Sequence, residues 1–304
     1  MIGKLGSDSN FESDPNFINS KDLHMRAALM LRQGLLALFL STIVAGTFAA
    51  KPAAKDFEPT VGQDGKDVVW VPTSQALVNR MLDLAKVTPK DYVVDLGSGD
   101  GRTVITATKR GARAMGVEYN PNMVALSKRN AAKEGVGEKA VFVQGDIFET
   151  DFSKASVITL FLLPDLNVKL RPKILDMKPG TRVVSNSFTM GEWEADQTVN
   201  ASEKEGCQSY CTAYLWIVPA KVEGKWKLPE GELTLKQTFQ NVSGALHKGD
   251  KVSEIAKGKV RGDHITFTAG GAQYTGTING NTMTGTVKDG GTSGNFTATR
   301  ATTS

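Results

Sequence analysis

Three carboxylates, Asp95, Glu118 and Asp146, carry the clearest chemistry in this chain of 304 residues. The first stands in an apolar run, Val93-Val94-Asp95-Leu96, that breaks into Gly97-Ser98-Gly99-Asp100-Gly101. Glycine accepts positive φ and has no Cβ, so such a turn lets backbone approach a ligand closely. A dinucleotide fingerprint would need glycine at position 102, and arginine stands there. A carboxylate just ahead of the turn suits a ligand end that bears an ammonium rather than a pyrophosphate. Taken alone, the turn also reads as an ordinary strand–turn–helix with chance glycines.

The other two acids narrow the choice. Glu118 closes a second run, Ala114-Met115-Gly116-Val117, about 20 residues beyond the turn, where a strand-end acid meets ribose hydroxyls. Asp146 follows a third run, Ala140 to Gln144, and is placed to accept from an adenine amino group while Ile147 packs on the ring. Each acid singly reads as a solvated loop residue. Together they sit at the carboxyl ends of three successive strands, the edge along which open α/β sheets bind ligands. The ligand this row suits is a cationic, phosphate-free nucleoside. S-adenosylmethionine has the ammonium, a sulfonium and no phosphate.

The elements that must position these acids are legible in outline. Arg102 to Arg110 reads as a helix stopped by Gly111. Asn120 is a cap and Pro121 a first-turn residue for a helix reaching about Glu134 and ending at Gly135. Val157 to Leu163 is a continuous apolar run, as expected of a parallel strand buried on both faces. Tyr214 to Pro219 reads as the last strand of the sheet. From about Gly224 the composition turns to Gly, Thr and Asn with period-two alternation, as in His264-Ile-Thr-Phe-Thr268. Turn signals such as Arg261-Gly262-Asp263 and Asn279-Gly280-Asn281 recur, which predicts a meander of about seven or eight strands. The expected fold is therefore α/β, a mostly parallel sheet with helices on both faces, followed by a small all-β antiparallel barrel or sandwich. The barrel reads as a folding or docking module, with a ligand-binding barrel as the alternative.

Composition bounds the rest. A net charge of +4 with scattered Lys and Arg gives no basic patch for nucleic acid. His24, His247 and His264 are widely spaced, and Cys207 and Cys211 have no partner pair, so no metal is expected. The two cysteines are either free buried thiols or a disulfide made possible by a turn between them. Residues 1–24 are polar and read as disordered or as preceding the true start. Met25, Arg26 and Arg32 lead into an apolar run from Gly34 to Ala50, which is either a cleaved secretory signal or a membrane anchor. Residues 51–67 form a linker, 68–220 the catalytic domain and 224–304 the β-rich domain. The expected location is exported, as in a bacterial periplasm, or membrane-anchored through residues 34–50, with a cytosolic face suggested by the supply of the cofactor.

Asp95-Leu-Gly-Ser-Gly-Asp-Gly-Arg102, Glu118-Tyr-Asn-Pro121, Phe161-Leu-Leu-Pro164 and Gly180-Thr-Arg-Val-Val-Ser185 resemble the class I methyltransferases. They look most like the protein-lysine methyltransferases that act on the ATP synthase c-subunit and the adenine nucleotide translocase. The resemblance spans roughly residues 68 to 220 and implies a Rossmann-like methyltransferase sheet, S-adenosylmethionine as cofactor and a protein lysine as acceptor. It implies that Thr73, Asp95, Gly97, Ser98, Gly99, Gly101, Glu118, Tyr119, Asn120, Asp146 and Ile147 form the cofactor site, with Val71 to Thr73 closing over it. Pro164 and Asp165 fall where catalytic residues would stand, and Asp165 also reads as a helix cap. The competing readings are a small-molecule or lipid methyltransferase and a non-catalytic envelope protein that binds a metabolite.

Overall fold

The computed structural model describes residues 56–301. The expectations for residues 1–24, for the apolar run within 25–50 and for the first residues of the linker lie outside the described residues, and among those described no helix is long and apolar enough to cross a membrane.

Seven strands form the first sheet: β1 (Tyr92–Leu96), β2 (Arg113–Glu118), β3 (Ala140–Gln144), β4 (Val157–Leu160), β5 (Arg182–Asn186), β6 (Gln197–Asn200) and β7 (Thr212–Ile217). Their order is β3-β2-β1-β4-β5-β7-β6. The first five run parallel, and β7 is antiparallel to both β5 and β6. Edge strand β6 had no sequence signal: Gln197-Thr-Val-Asn200 is mostly exposed and lacks an apolar stripe.

Four helices cover the sheet: α1 (Gln75–Leu84), α2 (Arg102–Lys109), α3 (Pro121–Lys133) and α4 (Pro164–Leu175). Alternation along β1 separates two cores. Val93 joins Leu77, Val104 and Val124 on the face that α1, α2 and α3 cover, whereas Val94 and Leu96 join Leu170 and Ile174 of α4 on the other. The helix ends expected at Gly111, Asn120 and Gly135 hold, and Ser74 adds a further cap. Ser74 Oγ accepts from Leu77 N at 3.3 Å, Asn120 Oδ1 from Asn122 N at 2.9 Å, and Gly111 and Gly135 stop their helices at φ of 89° and 70°. The helix capped by Ser74 ends at Leu84.

The remaining eight strands, β8 (Gly224–Leu228), β9 (Gly231–Thr238), β10 (Asn241–Lys248), β11 (Lys251–Arg261), β12 (His264–Ala269), β13 (Ala272–Asn279), β14 (Thr282–Asp289) and β15 (Thr292–Arg300), close as a barrel through β15 on β8. The alternative of a sandwich is thereby excluded. Trp226, Leu233, Phe267, Tyr274 and Phe296 pack its interior, with Phe267 and Tyr274 stacked at 4.6 Å. Most hairpins turn on glycine at positive φ, the geometry that matches strand twist. The β9–β10 turn instead puts Phe239 at φ 53°, and its ring stacks on Trp193 of the sheet domain at 6.1 Å. Gln240 Nε2 donates to Glu194 O, and Ala220 N to Gly262 O, across the same junction. This junction lies at the amino-terminal edge of the parallel strands, opposite the edge that carries the acids.

Candidate active site

At the carboxyl edge the chain leaves β1 and must turn at once. Gly97 N and Ser98 N both donate to Val117 O, at 2.9 and 3.0 Å, so the turn folds back over the end of β2. Gly99 N donates to Glu118 Oε2 at 2.9 Å, and Asn120 N to Glu118 Oε1 at 2.9 Å. One carboxylate therefore pins both the glycine turn and the start of α3. A Cβ on Gly99, at φ 55°, would lie 2.7 Å from Trp70 Nε1, so only glycine lets that indole rest on the turn.

Arg102, the residue that replaced the dinucleotide glycine, has a structural task. It grips both oxygens of Asp100, with Nη2–Oδ2 at 2.5 Å, and donates from Nη1 to Thr73 O at 2.7 Å. The turn is thereby tied to the segment before α1. That segment, from Gln63 to Thr73, runs along the cleft as a strap closed by Gly62 N to Trp70 O and Trp70 N to Gln63 O bonds of 2.8 and 2.9 Å.

Strap and sheet edge enclose a cleft of about 400 Å³. Thr73, Asp95, Gly97, Ser98, Gly99, Glu118, Tyr119, Asn120, Asp146 and Ile147 all line it. Gly101, Pro164 and Asp165 do not. At Gly101, φ 84°, an added Cβ would meet the Phe142 ring at 2.8 Å and Ser127 Cβ at 2.9 Å, so the residue lets α2 pack on the sheet. Pro164 and Asp165 are exposed in the first turn of α4. The cap position belongs to Leu163, so the side chain of Asp165 neither faces the cleft nor caps the helix. Lys66, Trp70, Met123 and Tyr210 also line the cleft and were not anticipated. Trp70 had a weak signal in its place beside Val71-Pro72-Thr73; Lys66 had none, because only folding brings it 80 positions along the chain to Asp146.

The electrostatics distinguish the acids. Asp95 is 7% exposed, accepts from Thr159 Oγ1 at 2.6 Å, and has no cationic partner among the described residues. Burial, with the neighbouring charges of Asp100 and Glu118, pushes its pKa up to about 7 against the opposing hydrogen bond from Thr159. A buried carboxylate in that state is built for a cation that arrives with a ligand. Ser98 Oγ is likewise buried without a partner. Asp146 is already paired: Lys66 Nζ lies 2.7 Å from Oδ2, and Phe148 N donates to Oδ1 at 2.9 Å. Lys66, first among the causes, holds the Asp146 pKa below its usual range. The cradle of glycines, the uncompensated Asp95 and the row of acids fit a cationic nucleoside.

The two halves of the cleft differ in chemistry. Acids stand at the carboxyl ends of β1, β2 and β3, whereas Phe161 after β4, Phe188 after β5 and Tyr210 before β7 occupy the other side. Cys207 and Cys211, flanking Tyr210, are joined in a disulfide with Cα atoms 5.8 Å apart, which settles the alternative between free and bonded thiols.

The family model described as the ANTKMT methyltransferase domain matches residues 95–197. A protein-lysine N-methyltransferase of Saccharolobus islandicus (strain REY15A) is 42% identical over 154 residues, which cover 50% of this chain and 94% of that protein. The human lysine N-methyltransferase of the ATP synthase c-subunit is 29% identical over 55% of this chain and 71% of its own length. A solved structure described as an RNA methyltransferase from Salinibacter ruber in complex with S-adenosyl-L-homocysteine is 47% identical, covers 50% of this chain and 96% of its own, and superposes with a TM-score of 0.46.

Proposed function

The chain belongs to the protein-lysine N-methyltransferases and is an S-adenosylmethionine-dependent enzyme, and on that premise we propose that its acceptor is a lysine of a protein held at a membrane. The observation that carries this reading is the division of the sheet edge into an acidic half and an aromatic half. The acidic half suits the donor. Asp95 would hold its ammonium, Glu118 its ribose hydroxyls and Asp146 with Ile147 its adenine, while Trp70 and Thr73 cover it from the strap. When bound, S-adenosylmethionine supplies a methyl group activated by its sulfonium.

The chain's own part in the transfer is alignment, desolvation and proton management. The cleft wall made by Leu160, Phe161, Leu162, Leu163 and Phe188 carries no carboxylate. A lysine amine entering there loses water, which lowers its pKa from the free value near 10.4. Its proton leaves to solvent at the cleft mouth, since Asp165 points away. Alignment of the neutral amine against the donor is where most of the rate gain lies, in favourable cases about 7–11 kcal/mol.

Two features support a membrane setting. The apolar run from Gly34 to Ala50 has the composition of a signal or anchor, and a similar human protein is named for the ATP synthase c-subunit. The disulfide supports a location in an oxidising compartment, exported or anchored. Methyl-labelled S-adenosylmethionine, supplied with the protein to separated membrane and soluble fractions, tests the proposal. Label recovered as methyl-lysine in membrane proteins is the expected result; label confined to lipids or small molecules rejects it.

A further inference from the structure

Resting on the acceptor assignment above, we infer that Tyr210 is a specificity-determining residue: with Phe161 and Phe188 it forms a three-ring receptor for the acceptor ammonium and its methylated forms, and the Cys207–Cys211 disulfide holds it in place. The three rings contact one another pairwise, Phe161 to Tyr210 at 5.3 Å and each of the other pairs at 6.0 Å. All three line the cleft, on the half that lacks acids. Such a cluster attracts a cation through the ring faces; its pull favours the ammonium less than a carboxylate would, so desolvation still allows the proton to leave before transfer.

The backbone shows that the arrangement is imposed. Tyr210 adopts φ 53° and Ser187, just before Phe188, φ 56°, both in the left-handed region that side chains avoid. Tyr210 nevertheless remains 45% exposed, so burial does not repay the conformation. Instead the short connection from β6 to β7 is anchored three times around it. Ser202 and Glu205 form a reciprocal capping box, Arg80 of α1 meets Glu205 Oε1 at 2.5 Å, and Cys207, 1% exposed, bonds Cys211. A connector that only joined two strands would need none of these to display an exposed ring at a cleft mouth.

The test uses the full chain saturated with S-adenosylhomocysteine and titrated with N-trimethyl-lysine amide, observed by ligand NMR. Probe binding is expected to weaken about ten-fold in Tyr210→Ala and in the Cys207→Ser/Cys211→Ser double variant, and to stay near wild type in Tyr210→Phe, which keeps the ring face. Calorimetry of S-adenosylhomocysteine should agree within about two-fold across the set, showing that the donor half is intact. If Tyr210→Ala loses that affinity, Tyr210→Leu takes its place, with the same ten-fold loss of probe binding expected. Equal probe binding by wild type and the folded Ala or Leu variant overturns the inference, as does a wild type that does not bind the probe. Loss of methyl-lysine in the fractionation assay with ring-dependent probe binding intact would reject the acceptor assignment alone.

Discussion

Asp95 on β1 and Thr159 on β4 stand at the same register of a parallel pair, and the threonine hydroxyl donates a 2.6 Å bond to Asp95 Oδ1. The bond fixes the carboxylate at the point where β1 has neighbours entered from opposite directions of the chain. That is the switch point of an open α/β sheet, where its crevice must form.

Because burial raises the Asp95 pKa to about 7, cofactor binding should depend on pH in that region. An ammonium binds the carboxylate form, so affinity for S-adenosylmethionine should fall about ten-fold between pH 8 and pH 6, with proton release on binding at the lower pH. Calorimetry at pH 6.5 in two buffers of different ionisation enthalpy measures the released proton. Identical heats in both buffers would contradict the assignment.

The same shift has the opposite sign for stability of the free protein. Between the unfolded value of 3.8 and about 7 the native state binds more protons than the unfolded one, so stability falls as pH rises through that window. The loss is of order 4 kcal/mol at most. Asp95→Asn, which removes the titration, should therefore melt higher than wild type at pH 8 while losing S-adenosylmethionine binding. Thermal unfolding at pH 5 and pH 8 checks it, the difference between the two proteins shrinking at the lower pH.

Glu118 acts on the cofactor site chiefly by holding backbone. Its two oxygens accept from Gly99 N and Asn120 N, and Glu118→Ala leaves both donors without that partner. At about 1–3 kcal/mol for each unpaired donor, cofactor affinity should drop by ten-fold or more and the melting temperature should fall with it. Glu118→Gln keeps one acceptor oxygen and should lose less. A variant that weakens binding without any change in melting would show that the carboxylate serves the ligand alone.

The sheet edge was legible because strand-end acids and glycine turns are local signals: Asp95, Glu118 and Asp146 stand at the ends of the expected strands and line one cleft, and Asn120 caps its helix. Legibility failed where position depends on tertiary contact. Gly101 belongs to packing against Phe142, Asp165 turns outward on α4, and Tyr210 reaches the cleft from a loop whose sequence has no periodicity. The barrel was visible from its alternation, but its closure depends on β15 meeting β8 some 70 positions earlier, which no local pattern encodes.

Lys66 ties the strap to the far end of the cleft through Asp146, and its ammonium also lies 5.2 Å from the Tyr119 ring. The pair is partly exposed, so it adds little to stability and should weaken with salt. Lys66→Met should leave the melting temperature nearly unchanged and speed release of S-adenosylhomocysteine a few-fold at low ionic strength. Stopped-flow displacement across a salt series measures this. The wild-type release rate should approach that of the variant as salt rises; parallel curves would rule the latch out.

Phe239 trades a strained turn for a domain contact, its ring stacking on Trp193 and lying 5.0 Å from the Arg171 guanidinium. Phe239→Gly relieves the positive φ but removes the stack, so the barrel should uncouple from the sheet domain rather than unfold. Calorimetric melting is expected to change from one transition toward two. No barrel residue lines the cleft among the described residues, so affinity for S-adenosylmethionine should stay at the wild-type value below the first transition. A single, merely lowered transition would mean that the barrel and the sheet share one cooperative core, and that Gln240 and Gly262 carry the junction without the stacked rings.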